Sequence, residues 1–351
     1  MNNLVQEIIV NLLLAAAPLF LWILPYALLA VYLERKISGF MQDRLGPMRV
    51  GKWGLLQSLA DIVKLLQKED IMADAVDKKL FNLAPLLVFI GSYAAFATIP
   101  FSSIYIGSNI DLGVFFVTAI SALVVAGLLL GAWASNNKYS LYGGMRTAAQ
   151  IVSYEIPTAI VILSVVIIAG TFNLKEMSEQ QTANIFNWYI FGGPELGLKK
   201  FILIPFMLVG TVIYFISSLA EVNRTPFDIP EAESEIIGGY HTEYSGMKFA
   251  FFFLAEYANM FAVSAIITIL FFGGYQSPFG YLGNLLNIKW LVGVEQIFWF
   301  LFKGLLFVFV QMWLRWTLPR LRIDQLMVTC WKYLIPISLV NLIIIAFISL
   351  L

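Results

Sequence analysis

Phe201-Ile-Leu-Ile-Pro-Phe-Met-Leu-Val-Gly-Thr-Val-Ile-Tyr-Phe-Ile-Ser-Ser-Leu219 carries no charge and runs straight into Ala220-Glu-Val-Asn-Arg-Thr-Pro-Phe-Asp-Ile-Pro-Glu-Ala-Glu-Ser-Glu-Ile-Ile-Gly-Gly-Tyr-His-Thr-Glu-Tyr-Ser-Gly246. About 20 apolar residues cross a bilayer as a helix, so the first stretch reads as a span. The second sets six carboxylates against the single arginine Arg224, and a further apolar run follows it. Apart from these six, Glu155 and Glu256 lie inside neighbouring apolar runs. Ionisable groups at membrane depth are costly, about 2.5 to 3.5 kcal/mol on insertion scales, and mark functional sites by default.

Outward from that junction, seven more stretches qualify as spans, near 8–33, 81–101, 112–134, 148–169, 248–272, 290–313 and 330–350. The composition agrees: 60% of the 351 residues are hydrophobic and 13% charged, against about 25% in a soluble domain. The expected fold is therefore all-α, a polytopic membrane protein of about eight transmembrane helices in one domain. The formal net charge is zero and the basic residues are scattered, which gives no footprint for nucleic acid. A single cysteine, Cys330, excludes an intramolecular disulfide and a cysteine-ligated cluster within the chain, and with only His241 beside it a zinc or haem site is not expected. No P-loop or G-x-G-x-x-G occurs; the glycine pairs at Gly143, Gly192, Gly238 and Gly273 read as turns. The amino-terminal run is too long for a cleaved signal and reads as a retained span.

The loops 34–80, 135–147, 220–248 and 314–332 hold 17 lysines and arginines, whereas the opposite side holds four. This asymmetry puts those loops in the cytoplasm and both termini outside it. Within the first loop, Trp53 to Lys68 places Leu55, Leu56, Leu59, Ile62, Val63 and Leu66 on one helical face and Gln57, Ser58, Asp61, Lys64 and Lys68 on the other. That is the pattern of a helix lying in the membrane interface, roughly 24 Å long. Pro18 and Pro25 fall in the first span and Pro157 two residues after Glu155; prolines there free backbone carbonyls.

Two readings compete for the acids. A buried carboxylate could pair with a base such as Lys303, and the acidic loop could be solvated. Against solvation, Phe227, Ile229, Pro230, Ile236 and Ile237 are too apolar for open water. Glu231, Glu233 and Glu235 alternate, so a helix would put Glu231 and Glu235 on one face and a strand would align all three. Crowded, half-buried carboxylates have raised and coupled proton affinities, which is the chemistry of a proton wire. His241 reads as a locally bonded loop residue, Tyr240 and Tyr244 as interface aromatics, and Cys330 as a small buried hydrophobe.

Glu34-Arg-Lys-Ile-Ser-Gly-Phe-Met-Gln-Asp-Arg-Leu-Gly-Pro47, Gly54-Leu-Leu-Gln-Ser-Leu-Ala-Asp-Ile-Val-Lys64, Ser153-Tyr-Glu-Ile-Pro157, Ala220 to Glu235 and Leu314-Arg-Trp-Thr-Leu-Pro-Arg-Leu-Arg-Ile-Asp-Gln325 resemble the H-subunit family of proton-pumping NADH:quinone oxidoreductase, respiratory complex I. Membrane hydrogenases and the photosynthetic complex carry similar subunits. The resemblance covers nearly the whole chain. It implies a bacterial inner-membrane subunit that joins the membrane arm to the peripheral arm and walls a quinone chamber. The chain itself would bind no cofactor, with quinone as substrate and iron–sulfur clusters, FMN and NADH in partner subunits. By the same resemblance, Glu34, Arg35, Arg44, Asp61, Arg224 and Phe227 match positions around the chamber. Glu155, Glu221, Asp228, Glu231, Glu233, Glu235, Glu243 and Glu256 match proton-path carboxylates. The alternatives are a stand-alone secondary ion transporter, which would act alone in vesicles and often shows internal repeats that are not found here, and a structural anchor, which would tolerate neutral replacements of its buried acids.

The charge asymmetry predicts that a reporter fused after Leu351 is active only when exported. Activity of a cytoplasm-only reporter there would reverse the topology.

Overall fold

The computed structural model describes residues 10, 13, 16–194, 197–286 and 288–350, with the side chains of 198, 233, 234, 284 and 285 excepted. The beginning of the first span and the side chain of Glu233 thus lie outside the described residues. Among the described residues, eight helices are long and apolar enough to cross a membrane: α1 Ala16–Met41, α3 Lys78–Ala97, α4 Gly113–Ala134, α5 Lys138–Ala169, α7 Lys199–Glu221, α8 Gly246–Phe271, α9 Lys289–Thr317 and α10 Ile323–Leu350. Shorter helices lie between them, among them α2 Gln57–Gln67 between α1 and α3, and α6 Leu174–Gln180 between α5 and α7. Among the described residues there is no strand.

Local chemistry explains where these helices start and stop. Asp77 accepts from the amides of Lys79 and Leu80 at the start of α3, Asn137 from Tyr139 at the start of α5, and Asn173 from Lys175 at the start of α6. Gly170 ends α5 in the left-handed conformation, φ 67°. The widened π turns Leu19–Ile23 in α1 and Thr329–Leu334 in α10 each end two residues before a proline, Pro25 and Pro336. A proline removes one amide donor and crowds the carbonyl four residues back, and the wider turn relieves that crowding.

Helix α8 sits at the centre, with 72% of its most apolar window buried, whereas α1 and α10 are peripheral at 28%. It packs against α3 and α9; α5 packs against α4, α7 and α10. Glycines permit the closest approach. A Cβ on Gly127 of α4 would lie 2.6 Å from Val88 Cγ2 and 3.0 Å from Val88 N on α3, and one on Gly91 of α3 would lie 2.8 Å from Val124 Cγ2.

Four boundaries differ from those expected of the sequence. Helix α5 begins at Lys138, so most of 135–147 is helix rather than loop, and α10 begins at Ile323 rather than near 330. The polar residues that hid the start of α5 do not face solvent; Ser140, Thr147 and Gln150 are buried against other parts of the chain. Helix α1 continues to Met41, which carries Glu34 and Arg35 on a regular helix. The interfacial helix is shorter than expected at its start. Gly51 and Gly54 take φ of 74° and 79°, so a separate turn, Lys52–Gly54, precedes α2. Its apolar face stands as expected: Leu55, Leu56, Leu59, Ile62, Val63 and Leu66 are all exposed among the described residues.

Gly127→Leu is expected to destabilise the fold by about 1–3 kcal/mol through overpacking against α3, seen as a lower thermal midpoint in detergent. Leu129→Ala on the exposed face of α4 should leave the midpoint nearly unchanged.

Candidate functional site

Arg224, in the turn after α7, is 2% exposed, and three helices bring charge to it. Its Nη1 donates to both oxygens of Glu34 on α1, at 2.9 and 3.1 Å. Its Nε stands 3.1 Å from Glu256 Oε1 on α8, in an orientation that makes the contact an ion pair rather than a hydrogen bond. Glu34 also accepts from Tyr257 Oη at 2.7 Å and from Arg315 Nη1 of α9. The Tyr257 ring lies under the guanidinium, 4.7 Å from its carbon, a cation–π contact. Burial works against the Arg224 charge, but Glu256, Glu34 and Tyr257 more than offset it, so the guanidinium is held cationic. The turn that carries it is fixed from α5, where Gln150 Nε2 donates to the carbonyls of Ala220 and Phe227 at 2.8 and 2.9 Å and to Asn223 Oδ1 at 3.1 Å. Nη2 of Arg224 and Oη of Tyr26 are buried at this junction without a hydrogen-bond partner.

The acidic loop does not carry its charges as one crowd. Glu231 turns inward and accepts from Tyr240 Oη at 2.7 Å. Burial pushes its carboxyl up to about 7; the Tyr240 bond and Arg224 pull the other way and Asp228 adds to the rise. Asp228 pairs with Arg320 at 3.1 Å, just beyond α9. Glu235 is more than half exposed and pairs with Arg146 of α5 at 2.6 Å. Glu243 accepts from Asn137 Nδ2 at 2.6 Å. The helix alternative, with Glu231 and Glu235 on one face, is therefore not what forms: the helical turn Glu233–Ile236 begins after Glu231, and the two acids meet different partners. Burial, with Asp228 nearby, raises the proton affinity of Glu231.

Glu155 and Glu221 share a cavity of about 280 Å³ between α4, α5, α7 and α8, where Thr118, Ser121, Thr158, Tyr214 and Asn259 interrupt an otherwise apolar wall. Ser121 Oγ donates to Glu155 at 3.3 Å. Because α5 starts at Lys138, Glu155 lies roughly 25 Å along that helix, deeper than a start near 148 would place it.

The remaining chamber candidates separate. Arg35 pairs with Asp61 at 2.5 Å, tying α1 to α2, and Gln57 Nε2 donates to the same carboxylate at 3.2 Å. Arg44 bonds only locally, its Nε to Gln42 Oε1 at 2.7 Å, and is exposed. Phe227 is buried against Tyr154, ring centroids 5.3 Å apart. Lys303 does not pair with any acid named above; its Nζ donates to the carbonyls of Phe272 and Gln276 at 2.7 and 2.9 Å. Tyr240 and Tyr244 are buried within the chain, the second stacked on Phe81 at 3.9 Å. Cys330 is buried, its Sγ donating to Ser153 O. Among the described residues no group of three or more His, Cys, Asp and Glu could hold a metal ion.

Sequence reasoning missed five members of the site: Tyr257, Arg315, Tyr240, Arg146 and Arg320. Tyr257 follows Glu256 directly, and Arg315 and Arg320 lie in one of the quoted motifs, so adjacency and motif were available signals. Nothing in one sequence pairs Arg146 with Glu235 across 89 residues.

A family model described as NADH dehydrogenase matches residues 14–346. A Chlorobaculum tepidum protein, named as the H subunit of NADH-quinone oxidoreductase, is 54% identical over 336 residues, covering 95% of this chain and 90% of its own length. A Cytophaga hutchinsonii protein, named as the second H subunit of NADH-quinone oxidoreductase in that organism, is 47% identical over 340 residues, 90% of this chain and 93% of its own length. A Brevibacillus brevis protein that carries the same H-subunit name is 43% identical over 333 residues, 95% and 91% of the two chains.

Replacing Arg224 by Met strands two buried carboxylates and is expected to cost roughly 3–5 kcal/mol, read as a fall in thermal midpoint. Adding Glu34→Gln and Glu256→Gln to Arg224→Met should recover most of that loss, which a mere packing defect at 224 would not allow.

Proposed function

Because the chain belongs to the NADH dehydrogenase family, matched over residues 14–346, we propose that its buried ions form the wall of a quinone chamber and the first carboxylates of a proton path. It is a multi-pass membrane subunit of an NADH-quinone oxidoreductase and does not act alone. NADH, FMN and the iron–sulfur clusters belong to partner subunits in this reading, quinone is the substrate, and the chain joins the membrane arm to the peripheral arm in a bacterial inner membrane with both termini outside the cytoplasm.

Quinone reduction places two electrons on the head group and takes up two protons, so a site must accommodate new negative charge and supply protons. The observation that carries the reading is the single guanidinium shared by Glu34 and Glu256. Negative charge arriving near Arg315 and Arg224 competes with Glu34 and Glu256 for these two cations and loosens the hold of Arg224 on Glu256. A carboxylate that loses its counter-charge takes up a proton more readily. Glu231 and Asp228 stand next in line, and the cavity holding Glu221 and Glu155 leads on into the membrane. Asp61, held by Arg35, and the exposed apolar face of α2 supply a polar and a greasy wall for a long-tailed quinone at the edge of the bundle.

Glu155→Gln and Glu235→Gln in the assembled complex should each lower quinone-dependent NADH oxidation and proton translocation together, by roughly tenfold or more for Glu155→Gln, with NADH oxidation by an artificial acceptor intact. Assembled enzymes that turn over and pump at parental rates would make both carboxylates structural. Arg35→Ala should raise the apparent KM for quinone roughly three- to tenfold; unchanged quinone kinetics would remove Arg35 from the chamber.

A further inference from the structure

Tyr240 occupies a one-turn helix, Gly239–His241, and has little freedom there. Its carbonyl accepts from Ser140 Oγ of α5 at 3.0 Å. A Cβ on Gly143 of α5 would lie 2.7 Å from Gly239 Cα and from Tyr240 N, so the turn is pressed onto the helix backbone. Gly239 itself has φ 64°, and a Cβ there would lie 1.9 Å from Pro230 O, next to Glu231. The ring is boxed by His241 at 5.0 Å and Phe252 at 5.6 Å. The hydroxyl therefore has one place to be, 2.7 Å from Glu231 Oε1.

The other groups facing Glu231 are Asp228 and Arg224 from the same loop, with Glu256 from α8 interacting across the junction and Arg320 acting on Asp228. Of these, Tyr240 is the one that makes a direct hydrogen bond to the carboxylate among the described residues. We propose that Tyr240 is a positioning residue of the proton path, whose hydroxyl fixes the Glu231 carboxylate in one orientation and, by donating to its ionised form, sets the pH at which Glu231 takes up and releases a proton. A donor favours the charged form of a carboxylate, in opposition to burial. Tyr240 stays a neutral donor throughout, because burial and the neighbouring Glu231 push its own hydroxyl well above the usual tyrosine range. The inference rests on the reading of the loop acids as a proton path and adds to it a residue that acts through Glu231.

The test is the pH profile of quinone-dependent NADH oxidation by the assembled complex in membrane vesicles. Tyr240→Phe keeps the ring and removes the bond, so Glu231 holds its proton to higher pH. The limb that reports Glu231 should move up by roughly one pH unit, one hydrogen bond to a charged group being worth about that much. Glu231→Gln should abolish that limb, and the Tyr240→Phe change should then have no further effect on the profile. A Tyr240→Phe profile superimposable on the parent, while Glu231→Gln alters it, overturns the role of Tyr240 and leaves the proton path standing. Parental profile and pumping in Glu231→Gln overturn both. If Tyr240→Phe does not assemble, Ser140→Ala loosens the same turn without touching the ring; it should move the limb in the same direction, and no movement counts against the proposal.

Discussion

A guanidinium enclosed by a membrane bundle exists only because carboxylates come to it, and Arg224 draws them from α1 and α8 at once. Neither acid could be buried as an ion alone, since the desolvation of an unpaired charge costs several kcal/mol. With Arg315 from α9 on the same Glu34 oxygen that Arg224 contacts, three spans and one turn share a single electrostatic contact. Such a cluster is weak evidence for stability, because an apolar core of equal volume would hold as well. It is suited instead to response: a cation divided between two acids shifts toward one when charge changes near the other.

The acidic loop owes its shape to α5. Asn137, Ser140, Gly143, Arg146 and Gln150 recur every three or four residues and so share one face. Each meets the segment between Ala220 and Glu243: Asn137 at Glu243, Ser140 at the Tyr240 carbonyl, Gly143 at Gly239, Arg146 at Glu235, and Gln150 at Ala220 and Phe227. Three carbonyls of that segment, those of Ala220, Phe227 and Tyr240, are thereby satisfied from α5, as burial requires. The same helix continues to Glu155, so one rigid element carries both the support of the loop and a carboxylate of the cavity.

The eight spans were legible because hydropathy reports lipid-facing helices directly; each apolar run has its helix. Most of 135–147, expected as loop, is helix for a physical reason. A polar face buried against another part of the same chain looks like solvent-exposed loop until the partner is known, and Ser140, Thr147 and Gln150 are such residues. The acids themselves could be read as out of place. Their partners could not: Glu34 and Arg224 lie 190 residues apart, Arg315 and Glu34 281 apart. Alternation of Glu231, Glu233 and Glu235 suggested mutual crowding, but the turn at Glu233–Ile236 and the tight packing of Gly239 on Pro230 send Glu231 inward and Glu235 out. Backbone conformation of that kind is set by close packing, which one sequence does not display.

The central claim is that quinone reduction is felt as a protonation change in this carboxylate chain. The direct measurement is the reduced-minus-oxidised infrared difference spectrum of the assembled complex in lipid, read at the carboxylic C=O stretch. The account predicts a carboxyl band in the parent complex that is lost or displaced in both Glu256→Gln and Glu231→Gln. The same band, unchanged in both variants, would contradict it.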